Sequence, residues 1–133
     1  MAKTNSLLIE QTKYTPLVMF DIDRAMYEIS GRAMLEGMIN VHNRVLAWIE
    51  NSLDKIEGNI CINFKLSYAD SRASKMISML MSKLENYYTS GMSIEIRWYY
   101  NISDDDIYNL GEMLTKTKKL PIKMIGIVNN KQQ

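Results

Sequence analysis

Apolar and polar residues alternate strictly in two stretches of the chain. Ile60, Ile62, Phe64, Leu66 and Tyr68 alternate with Cys61, Asn63, Lys65 and Ser67; Met92, Ile94, Ile96, Trp98 and Tyr100 alternate with Ser93, Glu95, Arg97 and Tyr99. A period of two places one set of side chains on each face of a strand, so both stretches predict strands with one buried face. Between them Ala73, Met76, Ile77, Leu80, Leu84 and Tyr87 recur at helical steps, and Gly91 follows as a C-terminal cap. Strand, helix and strand make a βαβ unit, which predicts parallel strands and a right-handed crossover. The second face of each strand is polar, so helices should cover one side of the sheet only. A doubly wound sheet would show continuous apolar runs instead.

The flanks extend this pattern. Met34, Met38, Val41, Val45, Trp48, Ile49 and Leu53 mark an amphipathic helix, which Gly37 and Asn40 weaken at its start, near Glu36. Ile107, Leu110 and Leu114 mark a shorter helix; Pro121 breaks it, and Ile122–Val128 reads as a last strand. Leu7–Ile9 and Leu17–Phe20, with Pro16 held to an edge or turn, and Ala25–Ser30, stopped by Gly31, predict a small β-meander around a turn at Asp21–Arg24. No repeat or linker divides the chain. The expectation is one regulatory-sized α/β domain over residues 1–133, a mixed sheet of about five or six strands with helices mainly on one face.

Composition narrows the function classes. Hydrophobic residues are 47% and charged residues 23% of 133, a globular balance that excludes a disordered or collagen-like chain. Sixteen basic against fifteen acidic residues leave a formal charge of +1, far from the basic excess of an electrostatic nucleic-acid binder. Trp98 and Tyr100 share the apolar face, so only Tyr99 of that aromatic run is free to stack a base. Cys61 is the single cysteine, which excludes an internal disulfide, and His42 is the single histidine, so a zinc site of four Cys/His ligands is excluded. No phosphate-cradling glycine motif is present. No apolar run approaches a membrane span, and the start of the chain shows no signal-peptide pattern, so a cytoplasmic location is expected.

Several residues invite a chemical reading that a structural one outweighs. His42 falls within the first helix and is expected at its surface or half-buried. Asp104, Asp105 and Asp106 form the densest carboxylate cluster; they precede a helical pattern and read as its capped N-terminus rather than a metal site or a small enzyme's carboxylates. The eleven methionines fall mostly on core positions, and Lys116, Lys118 and Lys119 read as a solvated helix end.

The most informative segment is Tyr68-Ala69-Asp70-Ser71-Arg72-Ala73-Ser74-Lys75. It leaves the C-terminal end of a strand and enters a helix, the edge of an open α/β sheet where sites collect. Asp70 or Ser71 is the natural N-cap. Ser71 is expected exposed at the helix N-terminus, where a phosphate would meet free amides and the positive end of the dipole, with Arg72 and Lys75 near. A docked partner would not tolerate the same dianion.

This segment resembles the phosphoacceptor turn of STAS-type anti-sigma-factor antagonists. The whole chain is more similar to the SiaC-type biofilm-regulation phosphoproteins. Thr12-Lys13-Tyr14-Thr15-Pro16 with Val18, Phe20 and Asp21, then Ile29-Ser30-Gly31-Arg32 with Glu36, Trp48, Asn63–Tyr68 and Trp98-Tyr99-Tyr100, follow that family's pattern in order over roughly residues 7 to 127. Ser71 matches the family's phosphoacceptor threonine, Asp70 its asparagine and Ser74 its later serine. Arg72-Ala73 replaces small hydroxylated residues, and Leu35 replaces the proline usual before Glu36. The resemblance implies a STAS-like fold and a non-enzymatic bacterial switch without a cofactor. Phosphorylation at Ser71 would be set by a serine/threonine kinase and a PP2C-type phosphatase. The dephosphorylated form would bind and activate a signalling partner, a diguanylate cyclase, through the surface around Asp70, Arg72, Ser74 and Lys75. The runner-up is an anti-sigma-factor antagonist with the same switch and a different output.

Overall fold

A computed structural model describes residues 6–128. Six strands form one sheet in sequential order. β1 (Leu7–Ile9), β2 (Leu17–Asp21) and β3 (Met26–Ala33) are antiparallel, the expected meander. β3, β4 (Ile60–Ala69), β5 (Ile94–Asn101) and β6 (Ile122–Ile127) are parallel, so the sheet is mixed. Each parallel step is bridged by a helix: α1 (Leu35–Ser52), α2 (Ser71–Thr89) and α3 (Asp105–Thr117).

Register explains why one face is covered. Phe20 pairs with Tyr27, Tyr27 with Ile62, Ile62 with Ile96 and Ile96 with Ile122, so a single parity of the sheet faces the helices. The residues expected in the core are there: Ile62, Phe64, Ile94, Ile96 and Trp98 are buried in one cluster with Ile77, Leu80 and Leu84. Phe64 stacks on Trp98 at 5.7 Å, and Trp48 of α1 closes on Phe20 at 4.8 Å. The other face stays polar, held by cross-strand pairs such as Lys65–Glu28 at 3.2 Å and by Lys65 over the Tyr99 ring at 5.1 Å.

Five expectations need correction. Gly31 does not stop β3: it sits at φ +111, the register shifts between Gly31 and Arg32, and the strand resumes to Ala33, a bulge that glycine permits. α1 is assigned from Leu35, but Glu36 and Gly37 are non-helical, with φ +76 at Gly37, so the regular helix begins beyond them. His42 is buried, 7% exposed, because the helical stripe of α1 is wider than its apolar residues suggest. Fewer methionines are core than expected: among the described residues Met38 and Met81 are buried and Met76, Met92 and Met124 pack against the core, while Met26, Met79 and Met113 are exposed. A flexible side chain can occupy a helix flank as readily as its stripe. The lysine cluster is not simply solvated, since Lys118 Nζ donates to Ser82 Oγ at 2.8 Å and the Lys119 amide donates to Glu85, tying the end of α3 to α2.

Candidate functional site

β4 and β5 are adjacent and parallel, so the turns leaving them emerge side by side at one edge of the sheet. They border a cleft of about 600 Å³ lined by Ser67, Tyr68, Ala69, Asp70, Ser71 and Ser74 from the first turn, and by Asp104, Asp106, Ile107 and Leu110 from the second.

Asp70 alone separates β4 from α2. It is the N-cap, with extended dihedrals, and its Oδ1 accepts from the Ala73 amide at 2.8 Å. Its Oδ2 accepts from the Leu35 amide of α1 at 2.9 Å. Its own amide donates to the Ala33 carbonyl at 3.1 Å, and its carbonyl accepts from the Ser74 amide at 2.8 Å. The bonds from the Ala73 and Leu35 amides hold its carboxyl below the usual carboxylate range. Asp70 is therefore ionised at neutral pH and caps two helices at once. Met34, the residue that should cap α1, has no side-chain capping bond, and Asp70 supplies it.

Ser71 is the first residue of α2 and is exposed, as expected from its place after a cap. The structure brings Asp70, Ser71 and Ser74 together on the cleft wall. Arg72 and Lys75 are exposed on the first turn of α2 but lie outside that lining. The amides at this N-terminus are not free: the Ala73 amide is committed to the Asp70 carboxylate and the Ser74 amide to its carbonyl. An anion added at Ser71 meets the dipole end of α2, the flanking cations and a carboxylate already in possession of the cap.

The acidic cluster serves α3 as its N-terminus. Asp104 Oδ1 accepts from the Ile107 amide at 3.1 Å, and Asp105 and Asp106 occupy the first turn. That Asp104 and Asp106 face Ser71 across one cleft is not visible in the spacing of the sequence; the adjacency of β4 and β5 was the available signal. The Leu35 contact had no such signal, because it joins residues 35 apart through a backbone amide, which any residue but proline supplies. Tyr68, 40% exposed at the rim, lies under the Arg32 guanidinium at 4.9 Å, and Arg32 Nε donates to the Lys13 carbonyl at 3.2 Å. That cluster joins the N-terminal segment to the edge of the cleft.

Comparison with known proteins places this geometry. The family model for SiaC family regulatory phosphoproteins matches residues 9–127. An uncharacterized protein of Pseudomonas aeruginosa is 20% identical over 117 residues, which covers 88% of this chain and 93% of that protein. The fold superposes on a chain from the crystal structure of diguanylate cyclase SiaD in complex with its activator SiaC from Pseudomonas aeruginosa. The TM-score is 0.82 at 20% identity, over 91% of this chain and 99% of that one. Apo-SiaC from the same organism matches with a TM-score of 0.80 at 20% identity, over 90% and 98% of the two chains.

Proposed function

This chain belongs to the SiaC family of regulatory phosphoproteins, and we propose that it is a non-enzymatic cytoplasmic switch whose phosphoacceptor is Ser71. In the dephosphorylated state it binds and activates a diguanylate cyclase, as SiaC is the activator of SiaD in its complex. A serine/threonine kinase adds the phosphate and a PP2C-type phosphatase removes it. The observation that carries this reading is the exposed Ser71 hydroxyl at the first position of α2, on the rim of the cleft where the parallel strands end. That hydroxyl is accessible to a kinase without unfolding the domain. Asp70, Arg72, Ser74 and Lys75 form its immediate surroundings and the surface read by the kinase and the effector.

The switch works through desolvation. A phosphate adds about −1.5 to −2 charges and three strong acceptors. The free protein leaves that group open to solvent at a helix N-terminus, whose dipole favours an anion. A partner seated over it strips the water, and a penalty of about 2–3 kcal/mol weakens the complex roughly 30- to 150-fold. No helix among the described residues is long and apolar enough to cross a membrane.

Phosphopeptide mapping of protein purified from its native cell tests the site, and titration of the cyclase with the two forms tests the output. Phosphate on Ser71, with cyclase activation by the unmodified form alone, supports the reading. Phosphate found only on Ser67 or Ser74, or full activation by stoichiometrically phosphorylated Ser71 protein, overturns it.

A further inference from the structure

Asp70 does two jobs with one carboxylate. One oxygen caps α2 through Ala73, and the other caps α1 through Leu35. Nothing else in the local sequence caps α1, since Met34 offers no side-chain acceptor. The turn so held is a joint rather than a regular helix: Glu36 and Gly37 are non-helical, Gly37 lies at φ +76, and both are exposed. Two residues further on, Ile39 presents an apolar side chain that is 57% exposed. The first turn of α1 is thus a backbone-irregular segment, exposed at Glu36 and Gly37 and followed by the buried Met38; the Met34 amide donates to the Tyr14 carbonyl at 2.8 Å just before it, and the Leu35 amide ties it to the residue next to Ser71.

We infer that Asp70 is the positioning residue that carries the state of Ser71 to α1: phosphate at Ser71 takes the α2 cap from the Asp70 carboxylate, and the bond from Leu35 is lost with it. The inference rests on the reading of Ser71 as the modified residue and adds the conformational consequence. The physical reason is competition for the same amides. A phosphate on the first residue of a helix seeks the unpaired amides of the first turn, and the Asp70 carboxylate holds the one at Ala73. Two anions cannot share that cap at adjacent residues without strong repulsion, and the phosphate carries the larger charge. Asp70 turns outward, the Leu35 amide exchanges its acceptor for water, and the joint at Glu36–Gly37 lets the first turn of α1 move. The surface that a partner meets then changes beyond the phosphate itself. This chain has the donor that such a link needs, because residue 35 is leucine, whose backbone N–H a proline would lack.

Hydrogen exchange on the full chain tests the link, with phosphoserine installed at position 71 during synthesis. In the unmodified protein the Leu35 amide should be protected; with phosphoserine its exchange should rise roughly tenfold or more, while amides in the middle of α2 change by less than about twofold. Two variants isolate the link. Asp70→Asn keeps one carbonyl oxygen, so it can serve Ala73 or Leu35 but not both. Leu35→Pro removes the N–H at a first helical position that proline tolerates and leaves the Ser71 turn unaltered. In either variant the 34–38 segment should exchange fast from the outset, and phosphoserine should raise it by no more than about twofold. A phosphoserine protein with Leu35 as protected as before overturns the link, as does an undiminished phosphate response in Leu35→Pro. Cyclase titration with the same samples separates the two readings. Lost activation with Leu35 still protected rejects the link and keeps the switch; released Leu35 with full activation does the reverse.

Discussion

Two strand-to-helix turns lie side by side at the same edge of the sheet, and both put an aspartate at the N-cap. Asp70 accepts from the third residue of α2 and Asp104 from the third residue of α3, at 2.8 and 3.1 Å. Beyond the cap they diverge. After Asp70 come Ser71, Arg72 and Ala73; after Asp104 come Asp105, Asp106 and Ile107. The α3 turn already holds as much negative charge as its dipole favours, and it is tied from several sides. Ser103 donates twice to the Asn101 side chain, at 3.0 and 2.8 Å, and the Trp98 indole donates to the Ile107 carbonyl at 3.0 Å. The α2 turn has a hydroxyl where the other has a carboxylate, cations beside it, and a single carboxylate shared with a neighbouring helix. The difference teaches which turn can respond to an added charge: the one with an unfilled anion position and a divided cap.

The largest effect comes from striking the rigid turn at its seat. Gly111 faces Trp98 so closely that an added Cβ would lie 2.3 Å from the indole and 2.9 Å from Met124. Gly111→Ala should lift α3 off β5 and cost about 3 kcal/mol, at the upper end of overpacking effects. The loss should show in denaturant melts, and hydrogen exchange should rise at the start of α3 more than at Leu35. A loss below about 1 kcal/mol would mean that the α3 seat is not close-packed.

Next come the two caps. Asp104→Ala removes one amide acceptor and should cost about 1 kcal/mol; Asp70→Ala removes two, on different helices, and should cost about 2 kcal/mol. Their acid sensitivity also separates. The folded Asp70 carboxyl lies below its unfolded value near 3.9, so its contribution is present above that pH and is lost as pH falls through the folded value. Wild type should therefore lose stability below about pH 4 more steeply than Asp70→Ala does. Equal losses for the two alanine variants would show that the Leu35 bond adds nothing to stability.

A milder acid effect sharpens the comparison from the α1 side. His42 lies among apolar residues of α1, α2 and the sheet, including Met38, Val45, Phe64 and Leu80, and neither ring nitrogen has a hydrogen-bond partner among the described residues. Burial lowers its pKa. The unfolded chain binds a proton near pH 6.5 that the folded one resists, so stability is full above that value and falls as pH drops below it, by at most about 1.4 kcal/mol per pH unit. His42→Leu should flatten the profile between about pH 5 and 6.5 and hold or raise stability at pH 7 by up to about 1 kcal/mol. An unchanged slope in that window would locate the titration elsewhere.

What the sequence disclosed follows from the range of its signals. Period-two and helical repeats are local, so the six strands, the three α-helices and the one-sided core could be read from residues such as Ile62, Phe64 and Ile77, though not the bulge at Gly31 that carries β3 on to Ala33. The position of Ser71 at a helix start was also local, since it follows an aspartate at the end of an alternating run. The pairing of Asp70 with Leu35 and the placing of Asp104 and Ser71 on one cleft depend on which strands lie side by side, and no short-range pattern encodes that. His42 was misplaced for a related reason: a lone polar residue on a helix flank is buried or not according to what packs above it, here α2.

The smallest effect is the most telling, because the two turns can exchange their first helical residues. Ser71 and Asp105 occupy the same position after an aspartate cap. Asp105→Ser should remove a favourable charge–dipole term and cost about 0.3–0.5 kcal/mol. Ser71→Asp gains that term and meets the Asp70 carboxylate, so the two should nearly cancel and leave stability within about 0.5 kcal/mol of wild type. The α3 turn shows that this chain accommodates Asp-Asp-Asp at a helix start, so the substitution at Ser71 has an internal precedent for folding. Its effect on function should not cancel. One added charge is a partial copy of phosphate and should still weaken the proposed complex with a cyclase by roughly tenfold, while Asp105→Ser leaves it unchanged. Weaker binding from Ser71→Asp matched by tighter binding from Asp105→Ser would assign the partner surface to the overall charge of this sheet edge. Loss from Ser71→Asp alone assigns it to the α2 turn, where the single divided cap makes the added charge count.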